Sequence, residues 1–361
     1  MAQITKSFTE KNSNPFNAYQ VAIPVILGLL VLGWLFLKEF DTGVFSSFNF
    51  SITSALFIIL AFVLIIVRDF GMMWRFRMLT NNDLSWKQAF HINVLSEFTT
   101  AVTPPAVGGS SLVVVFLIKE GINAGRSTTI MFVNLFLDEL FFIIFCPLVF
   151  LFIPIDQLFN SSSVIVSTFG IVFGTLYIMR LFWIVVLYIG TFRRPDWIRQ
   201  MLLTLFKLPI LRHWYTNIDL MTENLVNTSI DIRNRSVNFW FKAFGLTVLT
   251  WSTRFLVVNA IFMAFNPVNI DHLIVFARQL ILWVVMVITP TPGGSGVSEY
   301  AFKEYYSDVF STTSAIIFVT LIWRIINYYL YLLLGVLIIP KWITKSFSKS
   351  NNETAVSEIK N

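Results

Sequence analysis

The sequence predicts an all-α polytopic membrane protein with about six full transmembrane helices and two re-entrant helical hairpins in an inverted repeat. Three observations carry this. Hydrophobic residues fill 56% of 361 positions, only 13% are charged, and mean hydropathy is +0.73; a soluble domain would need far more polar surface, so lipid solvates most of the chain. Six apolar segments are long enough to cross about 30 Å of hydrocarbon. Two further apolar stretches are each interrupted by a proline- and glycine-rich break, TPPAVGGSS at Thr103–Ser111 and TPTPGGSG at Thr289–Gly296.

Taken in order, residues 1–18 are a polar, cytoplasmic N-terminal segment. The first span, Tyr19–Leu37, is followed by Lys38-Glu39 with no small-residue cleavage site, so no cleavable signal peptide is expected. The next spans are Phe48–Val67, Ser127–Ile153, Val164–Ile189, Phe239–Phe265 and Thr312–Ile339. The interrupted stretches Trp86–Gly121 and Leu273–Tyr306 have arms short for a full span, so each reads as a re-entrant hairpin, with a pair of full crossings as the alternative. Proline lacks an N–H, and glycine does not hold a helix, so each break exposes unpaired backbone. At membrane depth such groups survive only inside protein or beside a watery cavity.

The connection 191–236 is amphipathic: DWIRQMLLTLFKLPI (Asp196–Ile210) mixes bases with leucines as an interfacial helix would, and Ile218, Met221, Leu225 and Ile232 recur at helical spacing. It reads as a cytoplasmic strap over helix ends, with a lipid-headgroup sensor as the sharper alternative. Residues 341–361 read as a disordered cytoplasmic tail, and no soluble catalytic domain is expected at either end. The domain boundaries are therefore 1–18, a transmembrane domain 19–340 and 341–361.

Placement of basic residues sets orientation. Arg68, Arg75, Arg77 and Lys87 follow the second span; Arg193, Arg194, Arg199, Lys207, Arg212, Arg233 and Arg235 lie in the long connection; Lys341, Lys345 and Lys349 follow the last span. The opposite loops hold little positive charge, so both termini are expected in the cytoplasm of a cell with this protein in its inner membrane. The net charge of +6 speaks to orientation and anionic lipid, not to nucleic acid.

The breaks belong to a repeat. Thr103-Pro104 matches Thr289-Pro290, Lys119-Glu120 matches Lys303-Glu304, and Ser127-Thr128 matches Ser311-Thr312, at offsets of 186, 184 and 184 residues. The repeat units are about 86–153 and 273–339. Three crossings separate the hairpins, so the second is inverted and the tips are expected to meet near the midplane, the geometry of alternating access.

Ionisable residues inside spans face a cavity or a partner. The candidates are Glu97, Asp138, Glu139, Arg180, Arg254, Arg278, Glu299 and Arg324. Asp138-Glu139 and Arg324 sit mid-span at similar depth in the pseudo-related helices, which predicts a carboxylate–guanidinium pair between them, with Arg254 as an alternative partner. Such pairs are as well explained by locking the bundle as by function. Arg180 is expected to snorkel to the cytoplasmic end of its span. Glu299, three residues past the second break, is placed to cap the restarting helix, or to titrate as substrate passes. The expected substrate-binding set is Pro104, Gly108, Gly109, Asp138, Glu139, Arg254, Pro290, Pro292, Gly293, Gly294, Gly296, Glu299 and Arg324, with the N–H groups of PGGSG offering an anion site. The aromatic cluster Asn327–Tyr331 reads as packing. His91, His213 and His272 are scattered and Cys146 is the sole cysteine, so neither a metal, a cofactor nor an intrachain disulfide is expected.

With these residues in hand, the chain resembles the flippase-like family of integral membrane proteins that includes the transmembrane region of lysylphosphatidylglycerol synthases. The resemblance rests on three elements: TPPAVGGSS followed by IKEG; PTPGGSGVSE at Pro290–Glu299; and WRIINYYLYLLLG, an arginine followed by paired aromatics and a glycine-bearing helix. It covers about Tyr19 to Pro340; in the first element Pro105-Ala106 departs from the family's glycine-rich spacing. The resemblance implies movement of lipids between leaflets. In the synthases a soluble aminoacyl transferase domain follows this region, and the synthase reaction is not expected here.

The leading expectation is a flippase or lipid-linked-substrate transporter whose hairpin tips bind a headgroup. Arg324 would hold phosphate, and Asp138, Glu139 and Glu299 would read a cationic or hydroxylated group. Membrane lipids are the expected partners, and no feature specifies an oligomeric state. A non-transporting scaffold for a lipid-modifying enzyme is the alternative. An intramembrane serine hydrolase, prompted by Gly293-Gly294-Ser295-Gly296, lacks a histidine base after His272.

Overall fold

The computed structural model describes residues 51–104, 108–159, 164–205, 207, 215–265, 271–310, 312–339 and 342. The expected first span, the N-terminal segment, Pro105-Ala106 and nearly all of the tail lie outside these residues. Among the described residues there are twelve α-helices and no strand. They are α1 Ile52–Leu79, α2 Trp86–Val102, α3 Gly108–Lys119, α4 Ala124–Phe152, α5 Ile155–Leu158, α6 Val164–Tyr188, α7 Pro195–Leu205, α8 Tyr215–Arg233, α9 Val237–Ala264, α10 His272–Met286, α11 Val297–Tyr305 and α12 Thr313–Ile339.

Local chemistry starts these helices where orphan N–H groups need acceptors. Ser51 with Ser54 and Ser85 with Gln88 form capping boxes on α1 and α2, while Asn123, Ser236, Asp271 and Thr312 cap α4, α9, α10 and α12 through their side chains. Among the described residues five helices are long and apolar enough to cross a membrane: α1, α4, the stretch Gly170–Arg193 that continues α6, α9 and α12. α1 runs twelve residues beyond the Val67 end expected for its span, so Arg68 and Arg75 are helical and buried rather than loop residues at the cytoplasmic face.

Each interrupted stretch is a helix–break–helix. The arms of 17 and 12 residues in α2 and α3, and of 15 and 9 in α10 and α11, pack on each other in pairs. At 1.5 Å per residue they reach only about 25, 18, 22 and 14 Å.

α1 and α9 form the most extensive helix pair, lying close where Gly71 faces Thr250. A core of Phe141, Phe142, Phe255, Phe262, Phe302 and their neighbours joins α4, α9, α11 and α12, and a second around Phe76, Ile92, Phe116, Val133 and Phe192 lies under the loops at one end. Large apolar side chains such as Leu56, Ile59, Val63, Ile66 and Phe70 on α1 point outward, as lipid solvation requires. The basic loops converge at one end: Arg126 pairs with Asp83 at 2.5 Å, Arg235 donates to Asn81 at 2.6 Å, and Arg233 donates to the Phe192 carbonyl at 3.2 Å. At the other end Arg278 pairs with both oxygens of Asp308 at 2.6 and 2.7 Å and donates to the Gln157 carbonyl.

Candidate functional site at the meeting of the two breaks

The breaks, 186 residues apart in sequence, meet in space. The Gly293 N–H donates to the Thr103 carbonyl at 2.9 Å. Tyr328 of α12 stitches the same junction: its hydroxyl donates to the Ala101 carbonyl at 3.3 Å and accepts from Ser295 Oγ at 3.0 Å. α2 ends because Thr103 turns extended before Pro104, and its hydroxyl caps the Thr99 carbonyl at 2.6 Å. α10 ends before Pro290; Pro292–Gly294 form a single 3-10 turn with Gly293 at φ 58°, and Gly296 at φ 87° leads into α11. Such positive φ values suit glycine, which explains the residue choice there.

Glu299 locks the second break from within. It is 0% exposed. Its Oε2 accepts from the Gly296 N–H at 2.7 Å and from Ser298 Oγ at 3.1 Å, and its Oε1 accepts from Arg324 Nε at 2.6 Å. The expected capping role is thus seen, together with a partner that distance in sequence concealed. Arg324 stacks over the Tyr328 ring at 4.2 Å, and its two Nη atoms reach the Gly293 carbonyl only at 3.4 Å. A π-helical turn at Ile325–Tyr329 directly follows Arg324. Such turns re-aim side chains at functional sites.

Between the breaks lies a cavity of about 160 Å³ whose polar lining includes Glu97, Arg254, Gln279, Arg324, Asn327 and Tyr328, beside Gly293 and Gly294. Arg254 donates to Glu97 at 2.6 Å and packs over Trp283 at 4.6 Å and Trp251 at 5.3 Å. Behind Glu97 stands Arg68, 3.2 Å away, held by Asp69, whose other oxygen accepts from Tyr331 at 2.7 Å.

Of the expected set, Arg254, Gly293, Gly294 and Arg324 line this cavity. Pro290, Pro292, Gly296 and Glu299 form the break beside it, and Pro104 follows the residue that contacts Gly293. Gly108 and Gly109 open α3 beyond the first break. Asp138 and Glu139 do not join them, which corrects the expected pairing with Arg324. Asp138 takes Arg75 at 2.7 and 3.2 Å plus Trp251 Nε1 at 2.9 Å, while Glu139 takes Arg180 at 2.7 Å. Neighbours on a helix point about 100° apart, so the two acids face different partners. Arg180, expected to snorkel, turns inward to Glu139 and lies 4.5 Å from the Phe142 ring. Arg254 finds its carboxylate on α2, not on α4.

The sequence reading placed Arg68 and Arg75 in the basic region after the second span and Tyr331 in a packing cluster, and it named no role for Asp69 or Trp251; all five belong to the buried polar network. A signal existed: Arg68 and Arg75 are seven residues apart, two helical turns, and so share a face. The same spacing relates Thr247 and Arg254 on α9; Thr247 accepts from Arg75 at 2.8 Å.

The comparisons with known proteins bear on the whole transmembrane region. The sequence model described as "Lysylphosphatidylglycerol synthase TM region" matches residues 20–335, which contain both breaks and every residue lining the cavity. A UPF0104 membrane protein of Archaeoglobus fulgidus is 26% identical over 310 residues, covering 83% of this chain and 90% of the relative. A match of that extent, over a helical membrane fold built around the PTPGGSGVSE break, establishes that the chain belongs to the family of the lysylphosphatidylglycerol synthase TM region.

Proposed function

We propose that this protein moves a membrane lipid or lipid-linked substrate between leaflets, with the headgroup in the cavity between two re-entrant hairpins and the acyl chains in lipid. The observation that carries this reading is the convergence of both breaks on one cavity that bears two arginines, Arg254 and Arg324. Broken helices at corresponding positions of two halves are the arrangement in which secondary transporters bind substrate.

The chemistry of Arg324 supports an anionic group. Its Nε is committed to Glu299, but its Nη edge reaches Gly293 and Ser295 only at 3.4–3.5 Å, long for a charge-assisted bond. A phosphate oxygen would be a better acceptor for that fork. Hairpins inserted from opposite faces would let either side of the cavity close in turn. The gathering of arginines at one end supports a cytoplasmic placement of that end in a cell membrane, with both termini on the same side.

A transport role without covalent chemistry fits the surroundings of Ser295. Its hydroxyl donates to Tyr328. Among the described residues the histidines lie elsewhere, His91 beside Glu120 and His272 beside Asn259.

Reconstitution tests the reading. Vesicles holding the purified protein and fluorescent lipids are exposed to a membrane-impermeant reductant, and the fraction of each lipid reached is followed. Wild type is expected to speed exchange of at least one phosphate-bearing lipid. Arg324→Lys is expected to insert normally and slow exchange roughly tenfold to a hundredfold, as loss of a charge-assisted contact of about 1.5–3 kcal/mol would. Folded wild type that matches protein-free vesicles for every lipid class defeats the proposal, and an equally active Arg324→Lys removes the arginine from it.

A further inference from the structure

The two arginines that face the cavity are held in different ways. The carboxylate behind Arg324 cannot leave: Glu299 is fully enclosed and also holds the Gly296 N–H that starts α11. The carboxylate on Arg254 can. Glu97 lines the cavity itself, and both of its cationic contacts, Arg254 at 2.6 Å and Arg68 at 3.2 Å, fall on the single oxygen Oε1.

If Glu97 gives up Arg254, no charge is stranded. Arg68 stays paired with Asp69 through Nε and Nη2, at 3.0 and 2.6 Å, and Glu97 keeps Arg68. Arg254 stays beside the rings of Trp251 and Trp283, where it lines the cavity. One of its nitrogens bonds Glu97; the others have no protein hydrogen-bond partner among the described residues. The charged and titratable groups around Glu97 are Arg68 and Asp69 from α1, Arg254 from α9 and Tyr331 from α12.

We propose that Glu97 is an internal stand-in for the ligand's anion: it occupies Arg254 when the cavity is free of substrate, and a phosphate-bearing headgroup displaces it to bind Arg254 and Arg324 together. Glu97 is then a specificity-determining residue, because a headgroup without an anion cannot take Arg254 from it. Displacement also carries a signal outward. Glu97 swings onto Arg68, and the Arg68–Asp69–Tyr331 chain links α2 to α1 and α12, so occupancy of the cavity is felt where the first hairpin meets the bundle. This rests on the headgroup site proposed above, but not on transport.

The test measures binding rather than flux. Detergent-purified protein is titrated with short-chain phosphatidylglycerol, with water-soluble glycerol phosphate and with a neutral short-chain glycolipid, and the heat of binding is read by titration calorimetry. Glu97→Gln keeps shape and removes the competing charge. Displacing a close charge pair worth at least about 1.5 kcal/mol should make phosphatidylglycerol bind roughly tenfold tighter. Arg254→Ala should weaken it, and adding Glu97→Gln to Arg254→Ala should restore nothing. The neutral lipid should respond to none of these changes. Where Glu97→Gln does not fold, Glu97→Asp, which withdraws the carboxylate from Arg254, should tighten binding in the same sense.

Weaker or unchanged phosphatidylglycerol binding in the Glu97 variants overturns the proposal, as does tightening that persists in the absence of Arg254. Glycerol phosphate binding as well as the lipid does would assign the site to a soluble phosphate. Tightening without any lipid exchange in vesicles would sink the transport reading and leave this one standing; exchange without tightening would do the reverse.

Discussion

At the scale of single residues, Arg324 and Glu299 form the most enclosed ion pair of the site, 5% and 0% exposed, so each depends on the other. Removing one partner of a buried pair strands the other's charge and costs about 3–5 kcal/mol. Arg324→Ala is therefore expected to destabilise the protein by that amount in a detergent-based unfolding titration. The double variant Arg324→Ala with Glu299→Gln should recover much of the loss, because no naked charge remains. Additive losses would mean that the pair is not coupled. The residues were legible in the sequence to unequal degrees. Glu299 as a cap is local, three positions from Gly296, and could be read directly. Who pairs with Asp138 could not, because that depends on how far each helix is rotated about its axis in the bundle, and no spacing within one helix encodes it.

At the scale of elements, the breaks were legible because proline and glycine interrupt a helix chemically, whatever surrounds them. The end of α1 was not: Arg68, Asp69 and Arg75 lower the local hydropathy as a loop would, yet inside the bundle Arg68 pairs with Asp69 and Glu97, Arg75 pairs with Asp138, and Tyr331 donates a hydrogen bond to Asp69. The junction of the breaks makes a definite demand on Gly293. A side chain there would be strained at φ 58°, would strike the Tyr328 ring and would sit 2.7 Å from the Ala101 carbonyl. Gly293→Ala is expected to cost at least about 1–3 kcal/mol from the backbone alone and to loosen the contact with Thr103. Gly245→Ala, inside α9 with open space around it, should instead stabilise by about 0.5–1 kcal/mol. Melting of the two variants in the same detergent checks the contrast. A Gly293→Ala protein that melts with wild type would show that the breaks do not need to touch.

At the scale of the whole molecule, the two ends of the bundle differ in charge, and orientation follows from that difference. One end ties Arg77, Arg126, Arg233 and Arg235 to the loop acceptors Leu84, Asp83, Phe192 and Asn81. The other end exposes Asp156 on the short helix α5, near the Arg278–Asp308 pair. Positive loops resist translocation, so the arginine end should stay in the cytoplasm and Asp156 should face outward. The native Cys146 is buried and should not react with a polar reagent, which leaves the chain ready for single-cysteine labelling. With a membrane-impermeant maleimide on intact cells, Asp156→Cys should label at once. Lys87→Cys, in the exposed first turn of α2, should label only after the membrane is opened. The reverse pattern would invert the molecule. Labelling of both from outside would place an even number of crossings between them, and so would make the first interrupted stretch, which precedes the single crossing by α4, something other than a hairpin that enters and leaves on one face. Because α1 precedes Lys87 and α4 separates it from Asp156, the pair of sites tests the parity of the path between them: a re-entrant α2–α3 adds no crossing and a pair of full crossings adds two, so in both cases the crossing by α4 leaves the two labels on opposite sides, and only a break that carries the chain across once would put them on the same side.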